Sequence, residues 1–476
     1  MPKRTRPPTI ITLPASSPPP LPPTSPTTNT FLAERFGPAA GPRKRWLIYF
    51  VTGNPGLVGY YDLFLSHLHF LLTAHPTLAP RHAFDVFARS LSGFEARGAE
   101  SAGGSVWPAN AKDGRARAGS KRGWGRLKRP PFGLREQVDG VEWALWDHVR
   151  GMREEGEEEY DDGDGERFGS GSGSSSAVLV NGVGGEEGEG GDDDEAHGKE
   201  GEETRVVVIG HSVGAYMALE VVKRWRESLK VKQRRAREKS EKEEAVDGPV
   251  TMLDASAYAE DADVEEKEGG RIVGGVCLFP TVTHIAKSSS GMKLTMLLES
   301  LPTLPVLASV LAHVLTFFFP TLLLAELLAL VLAHPPDAAR TTAEFLKSPH
   351  GVRQALHLAA DELLSITADR WDDEVWGSSS ASSSAAAATT GPSPAVGAVP
   401  PRTKLFFLFG KDDHWVADET RDELMRERGR TRAQRGEAER WRPVMEVDET
   451  GIPHGFCIVA ERVARYIEEI VRQETV

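Results

Sequence analysis

Thr204-Arg205-Val206-Val207-Val208-Ile209-Gly210-His211-Ser212-Val213-Gly214-Ala215-Tyr216 is the stretch that decides the fold. Thr204 to Ile209 is the best strand candidate in the chain, β-branched, apolar and free of turn residues. From Gly214 to Arg226 the apolar spacing turns helical. Between the two sits Gly-His-Ser-Val-Gly, a G-x-S-x-G pentapeptide in the strand-to-helix context that gives the motif meaning. The chain has to turn sharply there. Gly210 and Gly214 let strand and helix approach closely, and the Ser212 hydroxyl projects above the sheet edge. The Val213 amide falls at a helix N-terminus, where it can donate to a developing oxyanion.

Working outward, strand-like runs alternate with helical ones. Residues 46–51 form an apolar strand that ends at the turn cluster Thr52-Gly53-Asn54-Pro55-Gly56. Tyr60 to Thr73 has helical spacing, and residues 83–88 are a second strand candidate. Leu134 to Val149 is helical again. Residues 271–279 are apolar throughout, as a strand covered on both faces should be. Residues 404–409 and 443–447 read as further strands, and 455–473 as a closing amphipathic helix. This alternation predicts an α/β fold, a mostly parallel sheet with helices on both faces.

Composition bounds the rest. The chain has 476 residues, and its 47 glycines and 32 prolines cluster in stretches that cannot pack a core. Residues 1–45 read as a disordered Pro-rich arm without a secretory leader's apolar core. Residues 46–476 form the folded body, interrupted by low-complexity insertions at 93–130, 151–203, 243–269 and 377–402. Roughly 300 residues remain for the globule, enough for one large core. The net charge of -13 argues against a nucleic-acid binder, although most of the acidity lies in the insertions. Two cysteines, Cys277 and Cys457, exclude a disulfide scaffold and a Cys-rich zinc site and favour a reducing compartment.

A serine needs a base to activate it and an acid to orient that base. In this fold class the acid follows the serine in the chain and the histidine comes last. After the 404–409 strand comes Gly410-Lys411-Asp412-Asp413-His414-Trp415, with two candidate acids. After the last strand comes Gly451-Ile452-Pro453-His454-Gly455, a turn that presents one histidine. The second oxyanion donor should come from the loop after the first core strand. Pro55 has no N–H, so Asn54 is the choice. No metal or organic cofactor is needed for this chemistry.

Four phrases together resemble the lipid-droplet-associated hydrolases, a branch of the α/β-hydrolases. They are Thr52-Gly53-Asn54-Pro55-Gly56-Leu57-Val58-Gly59-Tyr60-Tyr61, Gly210-His211-Ser212-Val213-Gly214-Ala215-Tyr216, Leu278-Phe279-Pro280-Thr281 and Ile452-Pro453-His454-Gly455-Phe456. The resemblance implies an α/β-hydrolase fold with Ser212 as nucleophile and His454 as base. It assigns the acid to Asp413 by the Asp-x-Trp spacing, with Asp412 as competitor. It implies a serine hydrolase at the lipid droplet, with the endoplasmic reticulum membrane or cytosol as alternative locations. Lipid esters, sterol esters among them, are the implied substrates. The rival readings are an acyltransferase using the same triad and a droplet structural or tethering protein with a nearly idle hydrolase fold. Oligomeric state stays open.

Residues 281–370 read as a lid or cap between strands. Within it Val306 to Ala333 is an apolar run in which only His313 and Glu326 are ionisable. It is long enough to span a bilayer, but Pro320 splits it into halves too short to do so alone. A helix–Pro–helix hairpin inserted into a lipid monolayer fits this pattern, with Leu322, Leu323, Leu324, Leu327 and Leu328 as lipid contacts. A pair of cap helices over the active site is the alternative, and both can hold.

Overall fold

The computed structural model describes residues 10–15, 43–94, 129–161, 203–245, 270–377, 402–430, 441–455 and 459–474. Most of each predicted insertion lies outside them, as does Cys457. Seven strands form one sheet in the order β1-β3-β2-β4-β5-β6-β7. They are β1 (Ile10–Leu13), β2 (Lys44–Val51), β3 (His82–Arg89), β4 (Thr204–His211), β5 (Gly270–Leu278), β6 (Lys404–Gly410) and β7 (Val444–Asp448). All pairings from β3 through β7 are parallel, and only β1 runs antiparallel, on the edge.

The pleat of each inner strand divides the core in two. On β2, Trp46, Ile48 and Phe50 join one cluster while Leu47, Tyr49 and Val51 join the other. The first cluster is closed by α1 (Asp62–Thr73) and by α10 (Ala460–Glu474), whose Val463, Ile467, Ile470 and Val471 face inward. The second is closed by α2 (Leu134–Asp161) and α3 (Val213–Ala245). Both faces are covered, which explains why β2, β4 and β5 are apolar along their length.

Two boundaries differ from the sequence expectation. The arm placed at 1–45 contains β1, whose Ile11 is buried while Asp85 accepts from the Ala15 amide at 2.8 Å. A four-residue strand among prolines is invisible to composition, because its partner β3 lies seventy residues on. The insertion expected from 151 begins later, since α2 runs on to Asp161. Glutamate is a good helix former, so an acidic tract can extend an existing helix.

Between β5 and β6 the described residues hold five α-helices: α4 (Ser289–Ser300), α5 (Leu304–Thr316), α6 (Thr321–Leu332), α7 (Pro336–Lys347) and α8 (Gly351–Ser365). Among the described residues, one α-helix, α9 (Asp418–Arg428), lies between β6 and β7. The helices α7 and α8 form the inner layer, bonded to the body. Gln354, fully buried on α8, donates to the Phe132 carbonyl at 2.8 Å and accepts from the Phe132 amide at 2.7 Å. Asp361 accepts from the Leu134 amide at 2.6 Å, at the start of α2. Tyr60 Oη lies 3.0 Å from Thr342 Oγ1 on α7. The helices α5 and α6 form the outer layer, α5 seated on α7 and α8, and α6 on α7. Lys347 Nζ donates to the Thr316 and Phe319 carbonyls, a cation at the end of α5 where the helix dipole favours one.

Candidate active site

Ser212 sits at the carboxyl end of β4 with φ 54°, a left-handed conformation that costs free energy and recurs at functional turns. Three backbone bonds hold it there. Its amide donates to the Leu278 carbonyl at 3.0 Å, and its carbonyl accepts from Ala215 at 3.0 Å and Thr281 at 3.4 Å. The Phe-Pro-Thr phrase after β5 is thus the clamp on the turn. The flanking glycines are required by crowding. A Cβ on Gly210 would lie 2.3 Å from the Gly214 carbonyl oxygen, and one on Gly214 would lie 2.4 Å from that of Val51.

His454 follows β7. Its Nε2 lies 2.9 Å from Ser212 Oγ and its Nδ1 lies 2.7 Å from Asp413 Oδ2. A carboxylate accepts, so Nδ1 carries the ring proton and Nε2 offers a lone pair to the serine hydroxyl. Asp413 is nearly fully buried at its side chain, and its second oxygen accepts from the Trp415 amide at 2.9 Å. That bond, to the backbone amide two residues on, is an Asx turn that holds the carboxylate in place. Asp412 is exposed, with φ 57°, and no described bond joins it to His454. The loop that carries His454 is itself anchored. Asp448, buried at the end of β7, accepts from Thr450, from the Ile452 amide and from Arg462, and these bonds hold its carboxyl below the usual range against the opposing effect of burial.

Asn54 lies in the loop after β2, which abuts the Ser212 turn: a Cβ on Gly53 would lie 3.1 Å from the Ser212 Cβ. Val213 opens α3, so its amide points from a helix N-terminus. The Asn54 side chain reaches into α8, donating to the Ala355 carbonyl at 2.9 Å and to Glu362 Oε1 at 3.0 Å. Among the described residues Thr52 Oγ1, Asn54 Oδ1 and Thr281 Oγ1 are buried near Ser212 without a protein hydrogen-bond partner.

Sequence reading missed Glu362. The Asp-Glu-Leu-Leu phrase on an amphipathic helix looks like a solvated face, and only the docking of α8 on the Asn54 loop buries it. Burial pushes its carboxyl up to about 8, with Asp361 adding and the Asn54 bond opposing. The folded chain therefore binds a proton that the unfolded chain releases near 4.5. Stability falls as pH rises between those values. Below 6.5 the buried neutral His211 and His82, both pushed down by burial, give the opposite slope. Between pH 6.5 and 8 Glu362 acts without them. Denaturant unfolding should show wild type losing about 2 kcal/mol over that window. Glu362→Gln should remove that share of the slope, and equal slopes in the two proteins would refute the assignment.

The structure corrects the apolar segment in one respect. Leu322, Leu323 and Leu327 are exposed, but Leu324 is 5 % exposed and packs with Ala325 and Ala343, and Leu328 is half-buried against them. Leu324 therefore belongs to the seat of α6 on α7, because helical spacing turns it away from Leu322 and Leu323. The exposed apolar face extends further than predicted. It takes in Val310, Leu311, Val314, Leu315, Leu330 (83 %) and Phe318 (83 %). Among the described residues no single helix is long and apolar enough to cross a membrane.

Comparison with known proteins adds the following. The family model described as lipid-droplet associated hydrolase matches residues 44–160 and 194–457. No curated protein sequence matches the chain. Among solved structures, 2-hydroxy-6-oxo-6-phenylhexa-2,4-dienoate hydrolase from Rhodococcus sp. strain RHA1 is 10% identical over 90% of this chain and 91% of its own, with a TM-score of 0.35. A laboratory-evolved variant of potato epoxide hydrolase is 12% identical over 90% and 93%, with a TM-score of 0.33. A serine hydrolase involved in carbazole degradation is 10% identical over 90% and 92%, with a TM-score of 0.34.

Proposed function

The chain belongs to the lipid-droplet associated hydrolase family, and from that premise we propose that it is a serine esterase that cleaves lipid esters at a lipid surface. The observation that carries the reading is the unbroken chain from Ser212 Oγ through the His454 imidazole to Asp413. In the proposed reaction His454 Nε2 takes the Ser212 proton as Oγ attacks the ester carbonyl. The Asn54 and Val213 amides receive the charge that develops on the carbonyl oxygen. Asp413 stabilises the imidazolium and keeps its orientation. His454 then protonates the departing alkoxide, leaving an acyl group on Ser212. Water, deprotonated by the same Nε2, attacks the acyl carbonyl and restores the serine.

The lipid part of the proposal is supported by the outer helices. So many exposed apolar side chains on two consecutive helices are rare on a soluble monomer and are the usual mark of an interaction surface. Each leucine or phenylalanine transferred from water contributes about 1.5–3 kcal/mol, so five exceed what reversible surface attachment needs. In this reading α5 and α6 dip into the phospholipid monolayer of a droplet, and the lid they form with α7 and α8 delivers ester to Ser212.

The test uses the full chain on emulsified triolein or cholesteryl oleate and, in parallel, on monomeric p-nitrophenyl butyrate. Wild type should hydrolyse the short ester and at least one emulsion. Replacing Phe318, Leu322, Leu323, Leu327 and Leu330 by Ser should cut emulsion turnover about 100-fold or more while leaving the short ester within about threefold. Leu324 is kept, because it seats α6. Equal loss on both substrates would count against the lipid face. Droplet binding by a wild type that hydrolyses no ester would favour the tethering reading.

A further inference from the structure

Three loops carry the parts of the proposed reaction: residues 52–56 with the Asn54 amide, residues 211–213 with the nucleophile, and residues 449–455 with the base. One line of hydrogen bonds crosses all three. The Gly53 amide donates to Tyr61 Oη at 3.3 Å, Tyr61 Oη lies 2.8 Å from His211 Nδ1, and His211 Nε2 lies 2.8 Å from the His454 carbonyl oxygen. The directions are fixed by chemistry. A carbonyl can only accept, so Nε2 holds the His211 ring proton. Nδ1 is then a lone pair, and the Tyr61 hydroxyl donates to it. The line therefore runs from Gly53 through Tyr61 and His211 to His454. Both side chains are buried, at 6 % and 5 % exposure, and burial pushes the His211 imidazole down to about 3, so it stays neutral and keeps this tautomer.

The place where this line ends matters. Among the described contacts, the His211 bond is the one made by another side chain to the backbone of His454. Among the described residues, a Cβ on Gly451 or Gly455 would meet nothing within 4 Å. The Asp448 bonds fix the loop only as far as Ile452. Asp413 bonds the ring of His454, and His211 bonds its backbone carbonyl.

We infer that Tyr61 and His211 are positioning residues, which lock the base loop and the oxyanion loop to the nucleophile turn. The inference rests on the esterase reading above. Neither ring is part of the line from Ser212 to Asp413, so each would act through the groups it holds. A displacement of about 1 Å in a reacting group can cost on the order of 100-fold in rate.

Two substitutions of one residue separate the two ends of the imidazole. An Asn amide stands near Nδ1 and can keep only the Tyr61 bond, whereas a Gln amide reaches the level of Nε2 and can donate to the His454 carbonyl. The full chain is assayed for kcat and KM on p-nitrophenyl butyrate, for the rate of fluorophosphonate labelling, and for its unfolding midpoint. His211→Asn should lower kcat and labelling about 100-fold with KM within about threefold. His211→Gln should recover most of that loss. Tyr61→Phe, which removes one oxygen and keeps the ring, should cost about 10-fold, and combining it with His211→Asn should cost little more than His211→Asn alone. Activity within about threefold of wild type in both His211→Asn and Tyr61→Phe would overturn the inference. So would Gln and Asn variants that lose activity equally, and so would losses that track the unfolding midpoint. A wild type that neither hydrolyses the ester nor takes the label removes the esterase reading and this inference with it, an outcome distinct from a reactive wild type with indifferent variants.

Discussion

Ser212→Ala is expected to lower kcat/KM on p-nitrophenyl butyrate by a factor on the order of 10⁶, equivalent to about 8 kcal/mol of transition-state stabilisation. His454→Ala should cost a similar factor, and the double variant little more, because nucleophile and base act as one unit. Some rate above the uncatalysed reaction should persist in each, from the amides of Asn54 and Val213 and from binding. The fold should survive. Ser212→Ala keeps the Cβ that the left-handed turn already accommodates, and the Leu278, Ala215 and Thr281 bonds there are made by the backbone. Initial-rate measurements with matched unfolding midpoints check this. Either single variant within about tenfold of wild type, with background esterase activity excluded, would sink the mechanism.

The parts of the molecule legible in the sequence were those set by local pattern. The strand Thr204–His211 and the turn after it could be read because an apolar run, two glycines and a helical spacing occur side by side. The same holds for β2, β5 and β6, whose apolar residues face covering helices on both sides. The α/β class followed from their alternation. What escaped was decided by partners distant in sequence. Glu362 became a buried acid because α8 docks on the Asn54 loop, a contact across 308 residues. Tyr61 and His211 were visible as letters of two motifs, but nothing local shows that their side chains meet across 150 residues. The apolar run at 306–333 could be found by composition alone. Which of its leucines face outward depends on the seat of α6 on α7, and that is why Leu324 was assigned to the wrong face.

The acid is the one position of the proposed triad at which the sequence offers two adjacent candidates, and the two differ in conformation and burial. Asp413→Asn is expected to lower kcat about 10⁴-fold. The Asn amide can present an N–H where the carboxylate accepted, which would turn the His454 ring proton toward Ser212 and remove the lone pair that takes the serine proton. The Trp415 amide bond can survive, because Asn retains a carbonyl oxygen, so the loop should keep its shape. Asp412→Asn should leave kcat within about threefold, since Asn tolerates the left-handed backbone at φ 57° as well as Asp does and the exposed side chain has no described bond to the base. The pH profile supplies a second check. With Asp413 removed, the imidazolium loses its stabilising partner, so the residual activity should rise with hydroxide concentration over a range where wild type is flat. A larger loss in Asp412→Asn than in Asp413→Asn would reassign the acid and with it the meaning of the Asp-x-Trp spacing.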